Sequence, residues 1–174
     1  MTTWSPRRLR ALDDAQIDGL ADVLIDCVEG GASVSFMHPL SRDRAVAFWR
    51  RVANGVAAGE RALVVAEDAQ GVCGTVQLML DQPENQPHRA ELMKMLVHRR
   101  ARRQGLGAAL MHAAEATARE CGKTLLVLDT ANPEAARLYE RMGWTRVGVI
   151  PGYALLPHGG LCGTTLYYRN LGDS

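Results

Sequence analysis

The sequence predicts an α/β (α+β) domain built on a mixed, largely antiparallel sheet of seven strands with about four helices, and three observations carry this. Apolar or alternating runs suited to strands recur at 3–10, 61–67, 72–81, 90–97, 124–128, 144–150 and 164–169. Four stretches with apolar residues at helical spacing lie at 13–28, 41–59, 107–121 and 132–142. The fourth strand, third helix and fifth strand follow one another without a hairpin turn, which makes them a β-α-β crossover with its two strands parallel. At 174 residues the chain is long enough for one domain, 1–174, with a substantial core.

The elements follow in order. After the short first strand, Asp13 or Asp14 can cap a helix whose Ile17, Leu20, Leu24 and Val28 form one stripe. Gly30-Gly31 ends it, and Pro39 bars its continuation. Ser41 can cap the second helix, with Ala45, Phe48, Trp49, Val52 and Val56 on one face and a stop near Gly59. Asp68-Ala69-Gln70-Gly71 reads as a hairpin between the next two strands. The run Thr124–Leu128 is uniformly apolar, as a strand covered on both faces requires, and Asp129-Thr130 follow it. Asn132 then caps a helix with Pro133 in its first turn and Gly143 beyond its end. A loop holding Pro151-Gly152-Tyr153 separates the last two strands.

The stretch from Val97 to Ala108, VHRRARRQGLGA, is where an apolar strand meets four arginines and a glycine-assisted turn into a helix. Backbone N–H groups converge at such a helix start, where the partial positive charge favours an anion. Gly105 and Gly107 allow close approach, and Arg102 and Arg103 add charge. With twenty basic and nineteen acidic residues the formal charge is +1, so no global field suits nucleic acid, and the cluster reads as a site for one compact anion.

The pattern Arg102-x-x-Gly105-x-Gly107 resembles the Q/R-x-x-G-x-G/A signature of the GNAT acetyltransferase superfamily, and the order of elements is similar to the fold of that family. The resemblance implies acetyl-CoA as cosubstrate, with its pyrophosphate on Arg102, Arg103, Gln104, Gly105, Leu106, Gly107 and Ala108. It implies fourth and fifth strands that splay apart, with the pantetheine arm and thioester carbonyl against the backbone of Met95, Leu96 and Val97. Asn132 and Tyr139 match an Asn and a Tyr seven residues apart in the family. At GGASVSFM (30–37), RAELMKMLV (89–97) and PGYALLPHGGL (151–161) the likeness narrows to the branch that confers resistance to tabtoxin, a β-lactam dipeptide toxin. That branch implies a small amino-acid-like amine as acceptor. The alternatives are a polyamine, an aminoglycoside or a peptide N-terminus, or a regulator that binds acyl-CoA without turnover.

Three residues are candidates for catalysis. Tyr139 is either a core aromatic or the acid that protonates the departing thiol, since a thiol near about 8.5 and a phenol near about 10 are roughly matched. Glu91 and Asp129 are candidates for the base that takes the amine proton. Glu91 differs in strand parity from Lys94, so the two are expected on opposite faces, and its other reading is a strand-end ion pair. Asp129 ends a strand where open sheets place ligands, and its other reading is a turn or cap. Ser33, Phe36, Met37 and Tyr153 are candidates for the acceptor site, although Phe36 and Met37 could equally tuck into the core.

Cys27, Cys73, Cys121 and Cys162 form no C-x-x-C pair and the five histidines lack ligand spacing, so no metal is expected. With no apolar run of membrane length and no signal-peptide pattern in MTTWSPRRLR, a cytoplasmic protein without membrane or nucleic-acid partners is expected, as monomer or homodimer.

Overall fold

The computed structural model describes residues 3–172. Its strands are β1 (Arg7–Leu9), β2 (Arg61–Asp68), β3 (Gly71–Met79), β4 (Arg89–Val97), β5 (Leu125–Thr130), β6 (Thr145–Leu155) and β7 (Leu161–Asn170). Its helices are α1 (Asp14–Glu29), α2 (Arg42–Ala57), α3 (Leu106–Glu120) and α4 (Pro133–Arg141), with a 3₁₀ turn at Arg99–Ala101. One sheet takes the order β1-β2-β3-β4-β5-β7-β6, and only β4 and β5, joined through α3, run parallel. This is the GNAT fold.

The helix starts are chemically explicit. Asp13 forms a capping box with Gln16, Ser41 caps α2, and Asn132 accepts from the first turn of α4 ahead of Pro133. α3 has no side-chain cap. The expected apolar stripes are buried: Leu20, Leu24, Val28, Trp49 and Val52 of α1 and α2 pack with Leu63 and Val65 on one face of the sheet. Leu106, Leu110 and Ala114 of α3, with Tyr139 of α4, pack with Val64, Val76, Leu126 and Leu128 on the other. Burying a side chain of this kind contributes about 1.5–3 kcal/mol relative to exposure.

Two local expectations are corrected. Pro151-Gly152-Tyr153 is not an inter-strand loop but a bulge within β6, where Ile150 pairs Thr164 and Ala154 pairs Cys162. β6 is the sheet's edge, so Pro151 costs no ladder bond in a central position. Asp129, expected at the end of its strand, lies with Thr130 in the last two positions of β5, paired with Leu166 and Thr165. In β4 the register slips between Thr75 and Gln77 of its partner, which pair Leu96 and Met93, so Lys94 and Met95 stand opposite one residue. The alternation breaks there: Leu92 packs with the α3 cluster and Leu96 with the α1–α2 cluster. Glu91, out of phase with Ala90 and Leu92, faces the α1–α2 side, and the Lys94 ammonium reaches that same side beside Phe48. The expectation that Glu91 and Lys94 point to opposite faces therefore fails, because a bulge adds one residue to the period.

Candidate active site

The turn that leaves β4 is anchored from behind. His98 N–H donates to the Cys73 carbonyl at 2.8 Å, and the buried carboxylate of Asp26 on α1 accepts from the Arg99 backbone N–H at 2.9 Å and from the Arg99 side chain. Arg102, expected at the pyrophosphate, is engaged behind the turn: its Nε donates to the Val97 carbonyl at 3.0 Å, and it reaches Cys27 Sγ at 3.8 Å. Arg100 clamps Asp68 at 2.8 and 3.3 Å, which holds that carboxyl below its usual range. Trp4 donates to the Gln104 carbonyl, and Gln104 to the Arg100 carbonyl.

In front, the turn is open. Arg103 at φ +60 is exposed and makes no hydrogen bond or ion pair among the described residues. Gly105 follows at φ +79, a conformation that costs glycine nothing and disfavours other residues, and a Cβ there would meet nothing within 4 Å. The leading N–H groups of Leu106, Gly107 and Ala108 have no side-chain acceptor, unlike those of the three capped helices. An uncapped helix start behind an open glycine, flanked by an exposed guanidinium with no partner among the described residues, fits a pyrophosphate.

Beyond the turn the sheet splits. β4 and β5 pair only from Arg89↔Leu125 to Glu91↔Val127, although β4 continues to Val97 and β5 to Thr130. The backbone of Met95, Leu96 and Val97 lies on the β4 side of this gap, past its last pairing with β5. A cleft of about 310 Å³ opens past the end of β5, lined by Ser33, Ser35, Phe36, Met37, Asp129, Thr130, Tyr153, Ala154, Cys162 and Thr164, among others. All four acceptor-site candidates thus meet Asp129. The walls are clasped together: His38 N–H donates to the Pro157 carbonyl at 2.9 Å, and the His38 and His158 rings stack with centroids 4.5 Å apart.

Asp129 supplies the cleft's only carboxylate, exposed and oriented by a 2.7 Å hydrogen bond from Thr164 Oγ1. Glu91 lies where β4 is still paired on both sides and does not line the cleft. Tyr139 is buried against Trp144 and Tyr167, and its hydroxyl makes no hydrogen bond among the described residues. Burial, with the Asp129 charge next, pushes its phenol well above the usual tyrosine value, so the hydroxyl keeps its proton and has a hydrogen bond to donate. The near match with a thiol expected from unperturbed values does not hold. Asn132 spends its side-chain oxygen on the Glu134 and Ala135 N–H groups at 2.8 and 3.3 Å. Sequence reasoning missed Thr164, which carries no signal of its own, and Lys94, whose charge in a central strand was one.

Among the described residues no group of three or more His, Cys, Asp or Glu is placed to hold a metal, and no helix is long and apolar enough to cross a membrane.

An anion cradle at a helix start, a gap between two parallel strands and a carboxylate-bearing cleft beyond it define a transferase that grips a nucleotide-linked carrier. Residues 28–144 match the model of the acetyltransferase (GNAT) family, and the chain belongs to that family. Solved structures agree on the fold. The acetyltransferase yncA from Salmonella typhimurium, determined with its cofactor acetyl-CoA, superposes with a TM-score of 0.79 at 19% identity, covering 99% of this chain and 96% of that one. A phosphinothricin acetyltransferase from Sinorhizobium meliloti in complex with acetyl-CoA gives 0.79 at 19% identity, covering 98% and 90%. A ribosomal-protein-alanine N-acetyltransferase from Brucella melitensis gives 0.80 at 20%, covering 96% and 99%. The chain is thus an acetyltransferase of this family, and its fold is shared with acetyltransferases named for different acceptors.

Proposed function

We propose that the protein transfers an acetyl group from acetyl-CoA to the primary amine of a small amino-acid-like acceptor, a tabtoxin-type β-lactam being the specific candidate, with both reactants bound together. Acetyl-CoA, when bound, would supply a thioester whose sulfur leaves as a thiolate, the proton lost by the amine reaching it afterwards through solvent. The Leu106, Gly107 and Ala108 N–H groups and Arg103 hold its pyrophosphate, and Arg102 sets the shape of the turn that presents them. The backbone of Met95 to Val97 lines the path of the arm and orients the carbonyl. Asp129 accepts the amine proton, directly or through water, and Tyr139 donates a hydrogen bond to the departing sulfur.

The observation that carries the acceptor class is the cleft: small, mixed in polarity, and furnished with one carboxylate. A polyamine or aminoglycoside site calls for several convergent acids. Glu29, the one acid of the neighbouring loop, lies 3.9 Å from Arg99, outside the cleft lining. The neighbours that include phosphinothricin acetyltransferases are consistent with a modified amino acid as acceptor.

The test is thiol release from acetyl-CoA with tabtoxinine-β-lactam, phosphinothricin, proteinogenic amino acids, polyamines and aminoglycosides, with product masses recorded. Monoacetylated amino-acid-like products are expected, the lactam leading. Turnover confined to polyamines or aminoglycosides would overturn the acceptor class, and acetyl-CoA binding without any turnover would leave a regulator instead.

A further inference from the structure

The bulge in β4 sets a cation directly behind a residue of the cleft lining, and neither the transfer chemistry nor the cofactor turn employs it. Lys94 Nζ donates to Ser35 Oγ at 3.0 Å and stands 6.0 Å from the centre of the Phe48 ring. Ser35 and Phe36 line the cleft alongside Asp129. An ammonium carries three donors and Ser35 takes one. Among the described residues no carboxylate lies within 4 Å of Lys94, whereas half-buried Arg100 and Arg169 reach carboxylates and Lys123 donates to two backbone carbonyls. The charges that act on it most are, in order, Asp129, Arg61 and Glu91, and burial lowers its pKa below the usual lysine value.

The backbone points to the same place. Among the described residues, three that are not glycine adopt positive φ: Ser35 at +76, Lys94 at +54 and Arg103 at +60. Left-handed conformations are costly for such residues and persist where surrounding structure imposes them, most often at functional sites. Arg103 is in the cofactor turn; Ser35 and Lys94 are hydrogen-bonded to each other across 59 positions of sequence. Two strained residues thus hold one ammonium beside the wall of the acceptor cleft, one hydrogen bond from its Ser35 lining, in a partly apolar setting where a cation with no carboxylate partner is a poor structural choice.

We propose that Lys94, steered by Ser35, binds the carboxylate of the acceptor, so that the enzyme selects zwitterionic amino acids over plain amines. The inference rests on the reading of the cleft as an acceptor site and adds a second pole to it. Asp129 takes the amine end and Lys94 the carboxylate end, which orients the amine towards the gap between β4 and β5. Phe36 and Phe48 shield the ion pair from water and so strengthen it.

The experiment compares tabtoxinine-β-lactam, phosphinothricin and L-methionine, each as free acid and as α-carboxamide, with wild type, Lys94→Gln and Lys94→Asn; asparagine tolerates the left-handed backbone if glutamine does not. Thermal melts establish folding, and calorimetric binding is measured beside turnover. For wild type the KM or Kd is expected to rise at least about tenfold from acid to carboxamide, the scale of one charge-assisted hydrogen bond. In the variants the acids should weaken by a similar factor, the carboxamides should change little, and the KM for acetyl-CoA should hold. A folded variant that keeps the wild-type acid-to-carboxamide ratio overturns the proposal, as does a wild type indifferent to the carboxylate. Acids that bind selectively without being acetylated would refute the transfer reading and keep this subsite. A chain that binds neither form would end it.

Discussion

Gly74 on β3 sits under the first turn of α3, and replacing it tests how rigidly the cofactor turn is seated. A Cβ at Gly74 would lie 2.8 Å from Leu106 Cδ2 and 3.1 Å from Leu110 Cδ1. Both leucines are essentially sealed, at 1% and 0% exposure, so neither has free space into which to swing. Overpacking of this kind costs about 1–3 kcal/mol, and the tightness of the closer contact favours the upper half. Alanine recovers about 0.5–1 kcal/mol of the backbone entropy that glycine loses in a strand. Gly74→Ala should therefore destabilise by about 1–2.5 kcal/mol net, a fall in Tm of about 2–10 °C for a domain of this size. Leu106 is also the first residue of α3, directly after Gly105, so the same displacement should raise the KM for acetyl-CoA more than it lowers kcat. Leu106→Val removes the clashing carbon, and the double variant should be milder than the sum of the singles by at least about 0.5 kcal/mol. Differential scanning calorimetry and initial rates decide it: an unchanged Tm with an unchanged KM, or strict additivity, would refute this account of the seat.

Three further outcomes follow from the site. Asp129→Asn keeps an acceptor for the Thr164 hydroxyl and so should fold normally, while kcat falls by about 10²–10⁴; rates within threefold of wild type would remove Asp129 as the base. Tyr139→Phe deletes a hydroxyl with no partner among the described residues, so Tm should move little. Because the phenol is held protonated, its contribution is that of one hydrogen bond to a developing thiolate, about 1.5–3 kcal/mol, or roughly ten- to a hundredfold in kcat with the KM for acetyl-CoA unchanged. Arg100 depresses the Asp68 pKa, so the pair's stabilisation is complete above the unfolded aspartate value of about 3.9 and disappears as pH falls through the lower folded value. Asp68→Asn should flatten the loss of Tm on acidification in that range, as circular dichroism melts would show.

Much of this was legible because it is local. Caps at Asp13, Ser41 and Asn132, Pro133 at a helix start and the glycine turn are written in neighbouring residues, and each signals its own hydrogen bonds. Ser33, Phe36 and Met37 could be placed near Asp129 because the loop after α1 and the carboxyl end of β5 are set by the order of elements, whereas Tyr153 joins them from a bulge in β6. The bulges were not legible. Whether Lys94 adds a residue to β4, or Pro151 to Tyr153 add residues to β6, depends on the register of partner strands, and period-2 reasoning carries no trace of an insertion until it fails. That failure matters, since it moves Lys94 to the face it shares with Phe48 and Ser35.

The four arginines after β4 illustrate how a structure can sharpen a charge argument. In sequence they read as a block of four positive charges, and net charge alone spoke against nucleic acid. In the fold Arg99 is bound to Asp26, Arg100 to Asp68, and Arg102 to the Val97 carbonyl with Asp26 4.0 Å away. Only Arg103 is left without a partner among the described residues, and it stands beside the uncapped N–H groups of α3. A polyanion needs a track of free cations, each releasing a counterion. One free guanidinium and a helix start are instead matched to a single compact anion, and the other three arginines serve by holding its cradle in shape. It follows that neutralising Asp26, which touches no ligand in this arrangement, would loosen the cradle by freeing Arg99 from behind it, and would weaken acetyl-CoA binding while adding positive charge to the surface.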